Sequence, residues 1–437
     1  MSSLLVVAGE ASGDRAGAAV VARLEGVRAF GMGGGALAGE GVELVADLRD
    51  VTAMGIAEVA HRALRVALAY SRVRAAIARR KPAAALLVNY TEFNARLAPV
   101  LWQHGTRVLW YGAPQIWAWR SSRATPLRRS LDRMAVMLPF EEQLWRDLGV
   151  DAHYVGHPAL EAFNVRGSAP DTPAPDTALA RSAWGASRPL SRPLLGPLAE
   201  ATRGGGTPDV EATRGGGTPD VEKSVTRVRL GMTPLAPAVA ILPGSRPHEV
   251  RRLLEPMLAG FEEVRRDRAS VDARLLLAAS LDDATRAWAR GLARALEIDT
   301  VPVDPRIGIG PLLPAFDVAL CASGTASLEC ALARVIPVVC YRVGWAAEAA
   351  ARALLETPHV ALPNVLLGRP AFPELLQRNA HATRIADELA RVLDERPSFL
   401  ASCNELEEIL GDDKSPSREV ARMLEPWLAR PESQRSA

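Results

Sequence analysis

The sequence predicts an α/β fold in which two doubly wound parallel sheets, each with its own helices, face one cleft. Three observations carry that expectation. The apolar run Leu4-Leu5-Val6-Val7-Ala8 stops at Gly9-Glu10-Ala11-Ser12-Gly13-Asp14, where helical periodicity takes over. A second apolar run, at 317–321, stops in the same way at Ala322-Ser323-Gly324-Thr325-Ala326-Ser327-Leu328-Glu329. Between them, short apolar runs alternate with helical stretches. Each small-residue turn leaves the backbone N–H groups of a helix N-terminus unpaired at the positive end of its dipole, where a diphosphate fits.

A chain of 437 residues is too long for one ordinary core, so two domains are expected. Strands at 4–8, 84–88, 107–111, 134–138 and 152–155 build a first domain over 1–163. Strands at 238–242, 273–278, 317–321 and 336–340 build a second over 237–400. Residues 164–236 are rich in Pro, Ala, Gly and Arg, and 201–211 is repeated in full at 212–222. Three consecutive glycines in each repeat forbid a helix, so this stretch reads as a disordered linker. The charged stretch 381–437 reads as helical, with 401–437 set apart as a C-terminal segment and with Trp427 and Leu428 in the last helix packing on another domain or another subunit.

A formal net charge of +2 gives no reason to expect nucleic acid. Four cysteines without a Cys-x-x-Cys spacing read as buried free thiols in a reducing compartment. No histidine spacing or aspartate pair suggests a metal, and no cofactor is expected. A strand begins right after Met1-Ser2-Ser3, leaving no room for a signal sequence, and no apolar run reaches bilayer length, so membrane contact is expected to be peripheral.

Residues 54–81 interleave Met54, Ile56, Val59 and Leu64 with Arg62, Arg65 and further arginines. That is the pattern of a basic amphipathic helix, either resting in an anionic leaflet or packed on the sheet with a solvated basic face. Trp117, Trp119 and Arg120, followed by Arg123, Arg128, Arg129 and Arg133, form a second aromatic and basic patch that suits an acceptor phosphate. Trp117 and Trp119 also fit as core residues. His157, where a strand leaves the first domain, reads either as a cleft-edge residue or as a structural turn.

The second half offers a nucleotide site. Leu242-Pro243-Gly244-Ser245-Arg246 ends a strand in a glycine turn, and Arg246 suits a leaving diphosphate. Ser323, Gly324 and Thr325 offer hydroxyls and N–H groups, while Glu329, one turn beyond Thr325, suits the two hydroxyls of a ribose. A helix-capping box accounts for the same residues without a ligand.

These residues, together with Met54-Gly55-Ile56-Ala57-Glu58-Val59, Pro114 through Arg120, Leu138-Pro139-Phe140-Glu141, Gly156-His157-Pro158 and Leu362-Pro363-Asn364 through Arg369, resemble in order and number the lipid-A-disaccharide synthase family. The resemblance implies an inverting, metal-independent GT-B glycosyltransferase with two Rossmann-like domains. It implies transfer of 2,3-diacylglucosamine from UDP-2,3-diacylglucosamine to 2,3-diacylglucosamine 1-phosphate (lipid X), forming a β-1,6 disaccharide and UDP. On the same ground Gly13, Asp14, Gly244, Ser245, Arg246, Ser323, Gly324, Thr325, Glu329 and Asn364 are expected at the UDP-sugar site. Met54, Ile56, Val59, Arg62, Leu64, Arg65, Trp119 and Arg120 are expected on the acceptor and membrane side. The cytoplasmic face of the inner membrane is the implied location, and a homodimer is expected from the family's exchange of C-terminal segments.

One position departs from the family. Where it usually reads Asp-x-Pro-Asp-Phe-Asn, this chain has Asn89-Tyr90-Thr91-Glu92-Phe93-Asn94. The first Asp is the family's proposed general base, and Asn89 cannot take a proton. Glu10 or Glu92 is therefore expected to act as base, with Asn89 positioning the acceptor hydroxyl. Another GT-B enzyme, such as a UDP-sugar epimerase, and a binding protein that has lost catalysis are the competing readings.

Overall fold

The structure is a computed structural model that describes residues 2–48, 58–117, 127–161, 219–344, 357–411 and 414–429. Side chains of 58–62 and 219–221 lie outside that description. Of the residues expected on the membrane side, Met54, Ile56, Trp119 and Arg120 fall outside the described residues, as do the side chains of Val59 and Arg62.

The first sheet has seven strands: β1 (Ser3–Ala8), β2 (Arg28–Gly33), β3 (Glu43–Asp47), β4 (Ala84–Val88), β5 (Arg107–Tyr111), β6 (Arg133–Val136) and β7 (Ala152–Tyr154). Their order is β3-β2-β1-β4-β5-β6-β7, with every neighbour parallel. The second sheet has six: β8 (Ala238–Leu242), β9 (Asp272–Leu277), β10 (Asp299–Pro302), β11 (Val318–Ala322), β12 (Ile336–Tyr341) and β13 (Glu374–Leu376). It runs β10-β9-β8-β11-β12-β13, again all parallel.

Central strands are apolar along their whole length because helices cover both faces. All residues of β4, β8 and β11 are buried. The helix Thr91–Gln103 buries Phe93, Leu97 and Leu101, spaced four apart, onto the first sheet. Likewise Pro247–Asp267 buries Val250, Leu254, Leu258 and Phe261 onto the second. Strands β2, β3, β10 and β13 were not foreseen. Each lies toward a sheet edge, where burial is incomplete and residues such as Glu43, Asp299 and Glu374 break the apolar run. All four cysteines are buried and free.

The expected linker ends earlier than residue 236. Pro219–Arg229 is a helix, and its Lys223 and Arg227 meet Asp317 at the start of β11. Arg227 is buried. It donates to Ala315 O at 2.8 Å, to Pro234 O at 2.9 Å and to Asp317 Oδ2 at 2.5 Å. The N–H of Ala238 donates to the same Asp317 oxygen at 2.9 Å. Burial works against the Asp317 charge, but Lys223, Ala238 and Arg227 outweigh it and hold the carboxyl below its ordinary range.

The C-terminal segment does not begin at 401. One helix runs unbroken over Ala382–Leu410 on the second sheet, and a second, Pro416–Leu428, returns to the first. There Val420, Leu424 and Leu428 join the core of β1 and β4 within the same chain, and Ser2 Oγ donates to Leu428 O at 2.6 Å. Arg133 stacks on Trp427 and donates to Met423 O, so it serves this docking rather than an acceptor patch.

Asp317→Ala is expected to cost about 3–5 kcal/mol in urea unfolding, because it leaves buried Arg227 without its counter-charge. Asp317→Asn, which keeps the hydrogen-bond acceptor, is expected to cost less.

Candidate functional site

In both sheets the strand order reverses between two neighbours, β1 and β4 in the first, β8 and β11 in the second. Helices leave such neighbours toward opposite faces, opening a crevice at the carboxyl edge of the sheet. The turns that follow these four strands carry Gly9-Glu10, Asn89-Tyr90, Gly244-Ser245-Arg246 and Ser323-Gly324-Thr325.

Among the described residues, two ion pairs cross from one lobe to the other. Arg246 Nη2 donates to Glu10 Oε2 at 3.4 Å, with the side chains 56% and 40% exposed. Arg15 Nη2 donates to Glu329 Oε1 at 3.4 Å, with the side chains 25% and 10% exposed. Each lobe thus contributes one carboxylate and one guanidinium. The first pair is solvated and weak by itself, whereas the second is partly withdrawn from water.

Glu10 precedes the helix Ala11–Val21 in extended conformation, and its Oε1 accepts from Ser12 Oγ and from Asn89 Nδ2, both at 3.2 Å. Asn89 therefore orients a carboxylate. Asn89 and Tyr90 are both left-handed, with φ 48°, a conformation that costs non-glycine residues on the order of 1–2 kcal/mol each. Surrounding contacts hold the turn. Asn89 N donates to Tyr111 O at 2.9 Å, Asn94 Nδ2 donates to Asn89 O at 2.6 Å, and Tyr90 stacks on Phe93. Tyr90 also lies over Gly9, where a Cβ would come within 2.0 Å of its ring.

In the second lobe Arg246 caps the helix Pro247–Asp267. Glu249 Oε2 accepts the N–H groups of Ser245 and Arg246 at 3.3 Å, and Glu249 Oε1 accepts from Arg246 Nη1 at 3.2 Å. Gly324, at φ 137°, opens the helix Thr325–Leu332 in a conformation that favours glycine. Ser323 Oγ donates to Val360 O and Ser327 Oγ to Gly324 O, so neither the Ser323 hydroxyl nor Glu329 forms the capping box allowed by the sequence. Burial raises the Glu329 carboxyl above its ordinary range, and Arg15 opposes that rise.

Three residues expected at the UDP-sugar site are committed elsewhere. Asp14 is buried, and its carboxylate accepts the N–H groups of Gly34, Ala36 and Leu37 at 2.6, 2.9 and 3.3 Å, fixing the turn after β2. Asn364 is fully buried and exchanges hydrogen bonds with Phe372 while donating to Glu374. Gly13 is buried against Val88, setting the closeness of helix and strand. Glu92 is exposed in the first turn of Thr91–Gln103, whereas Glu10 sits among Asn89, Ser12 and Arg246. His157 accepts the Ala159 N–H on Nδ1, and burial holds its pKa down to about 4, which makes it a neutral turn residue.

Arg15 was not singled out by sequence reasoning, and Glu141 appeared there only within the Leu138-Pro139-Phe140-Glu141 motif, with no role given to it. Arg15 follows directly on the Gly13-Asp14 turn, but its partner comes from the other sheet, and no local pattern announces that. Glu141 is buried near the end of β6, where Oε1 accepts from Trp117 Nε1 at 3.0 Å and Oε2 from Leu138 N at 3.2 Å. Its signal was local: Pro139 followed two residues later by Glu141, as at a helix start.

Two all-parallel lobes with their switch points opposed define a GT-B type protein, the architecture that glycosyltransferases share with sugar-nucleotide epimerases. Solved structures agree on the fold. The UDP-GlcNAc 2-epimerase of Neisseria meningitidis bound to UDP-GlcNAc aligns with TM-score 0.60 at 9% identity over 97% of this chain and 99% of that one. The spinosyn rhamnosyltransferase complexed with thymidine diphosphate aligns with TM-score 0.51 at 14% identity over 97% and 100%. The chain belongs to the lipid-A-disaccharide synthase family: the model of lipid-A-disaccharide synthetase matches residues 4–172 and 218–422. Lipid-A-disaccharide synthase of Anaeromyxobacter dehalogenans is 35% identical over 428 residues, 96% of each chain. That of Myxococcus xanthus is 35% identical over 432 residues, 97% of each.

Burial pushes the Glu141 carboxyl up to about 7, against the donors Trp117, Leu138 and Met137. The folded state then holds a proton that the unfolded chain releases near pH 4.5, so stability falls as pH rises toward 7 and levels off above it. The loss is expected to be on the order of 3 kcal/mol and to vanish in Glu141→Gln, as read from urea midpoints across that range.

Proposed function

We propose that this chain transfers 2,3-diacylglucosamine from its UDP donor to 2,3-diacylglucosamine 1-phosphate, with the nucleotide held by the second lobe and the lipid acceptor by the first. The observation that supports this most is the Arg246–Glu10 contact across the crevice. It puts a diphosphate-binding guanidinium and a proton-accepting carboxylate at one place, supplied by different lobes.

The reading runs as a single displacement. The diphosphate lies against Gly244, Ser245 and the N-terminus of Thr325–Leu332, and draws Arg246 away from Glu10. The ribose hydroxyls go to Glu329. Released from its ion pair, the Glu10 carboxylate is open to the acceptor hydroxyl, and Asn89 Nδ2 holds it in line with that hydroxyl. As the acceptor oxygen bonds to the anomeric carbon, its proton passes to Glu10. The bond to UDP breaks on the opposite face, which inverts the anomeric centre. Charge gathering on the departing diphosphate is met by Arg246 and the helix dipole. Donor binding before acceptor attack follows, because the donor is what frees the base.

The acceptor carries acyl chains, and the helix Glu58–Arg80 suits them. Its inner face buries Ala69, Val73, Ala76 and Ile77, while Leu64, Arg65, Leu68, Arg72 and Arg74 face outward, Leu64 at 58% exposed. Mixed apolar and cationic residues on one outer face fit the headgroup region of an anionic leaflet. Among the described residues no helix is long and apolar enough to cross a membrane. Pairing of two copies remains part of this proposal, with the Pro416–Leu428 helix docked on its own chain.

Glu10→Gln is expected to lower kcat about 100-fold to 10,000-fold in a radiolabelled transfer assay, with the KM for donor little changed. Wild-type turnover in Glu10→Gln, with loss in Glu92→Gln, would move the base to Glu92. In flotation assays Leu64→Ser/Leu68→Ser is expected to bind anionic vesicles severalfold more weakly than wild type.

A further inference from the structure

Arg15 has no place in the reading above. It stands in the first lobe, on the helix Ala11–Val21, and its guanidinium reaches Glu329 in the second. Beside it the 304–308 turn supplies Gly308 at φ 75°, where a Cβ would come within 2.9 Å of Arg15 Cζ and Nε. The turn is fixed by Gly308 N donating to Asp304 O at 2.9 Å, and its own Arg306 is paired with Asp304. The Arg15 guanidinium therefore lies against Gly308, where a Cβ would press on it. It ends on the carboxylate that the reading above gives to the ribose.

We propose that Arg15 is a positioning residue for the nucleotide: from the acceptor lobe it holds Glu329 so that this carboxylate accepts the ribose hydroxyls, and it makes the uridine site whole only when the lobes are apposed. The proposal rests on the assignment of Glu329 to the ribose.

The chemistry is specific. A carboxylate that accepts a vicinal diol must present lone pairs in one direction and carry no proton of its own. Glu329 is buried, and burial favours its neutral form; the Arg15 charge opposes that. Arg15 Nη2 reaches Oε1 at 3.4 Å, which restrains the carboxylate from the first lobe and leaves Oε2 outside that hydrogen bond. Because the cation belongs to the other lobe, nucleotide binding and lobe apposition strengthen each other by the same factor.

The test is calorimetric titration of the full chain with UDP and with 2′-deoxy-UDP. Wild type is expected to prefer UDP about tenfold, as hydrogen bonds to a charged group do. Arg15→Met is expected to weaken UDP about fivefold, leave 2′-deoxy-UDP almost unchanged and so cut the preference to about twofold. Arg15→Lys should restore much of it, and Arg15→Met in a Glu329→Gln background should cost nothing more. Gly308→Ala, which displaces the guanidinium without removing it, should narrow the preference in the same way. Unchanged preference in both Arg15→Met and Gly308→Ala, or equal weakening of both ligands, overturns the proposal. If Glu329→Gln itself keeps the preference for UDP, the ribose assignment is what fails.

Discussion

In an all-parallel sheet every strand feeds its helix at the same edge, so every turn that carries a functional side chain emerges on one side of the sheet. Here that constraint acts twice. The edges that present Glu10 and Asn89 in one lobe and Arg246 and Ser323 in the other lie across one crevice, close enough for hydrogen bonds between lobes. Neither sheet contains a complete site. What each supplies is half of a charge arrangement, and the halves are crossed.

Crossed pairs have a consequence for energetics. An exposed contact such as Arg246 with Glu10 contributes little to stability, because water screens it and two long side chains must be ordered. Such a contact is easily exchanged for one with water or with another anion. The Arg15–Glu329 pair differs. One partner is buried, so losing the cation would leave a carboxylate poorly solvated. The two cross-lobe pairs thus differ in exposure rather than in length, one lying in solvent and the other partly withdrawn from it.

Much of this was legible in the chain. Turns at Gly9-Glu10, Gly244 and Gly324 announce themselves because a Cβ would clash at Gly9 and Gly244 and φ is positive at Gly244 and Gly324, and the runs of β1, β4, β8 and β11 are apolar because both of their faces are covered. Less was legible at the sheet edges. There, β2 and β13 mix glycine or acid with apolar residues and lose the pattern. Asp14 and Asn364 misled for another reason: a polar residue beside a glycine turn looks the same in sequence whether it meets a ligand or satisfies buried N–H groups. Arg227 falls in the stretch read as a linker, but its partner Asp317 comes from β11's start, and the pair ends the linker at a helix.

By itself the sequence determined the class of fold, the strand–turn–helix units and the family, since local periodicity and ordered motifs survive without knowledge of contacts. Tertiary structure alone decided which acid faces which cation. Glu10 rather than Glu92 stands with Asn89 and Arg246, and Arg15 with Glu329, because these pairings depend on how two separately wound sheets are set against each other. That setting is fixed by nonlocal packing, which no short window of residues records.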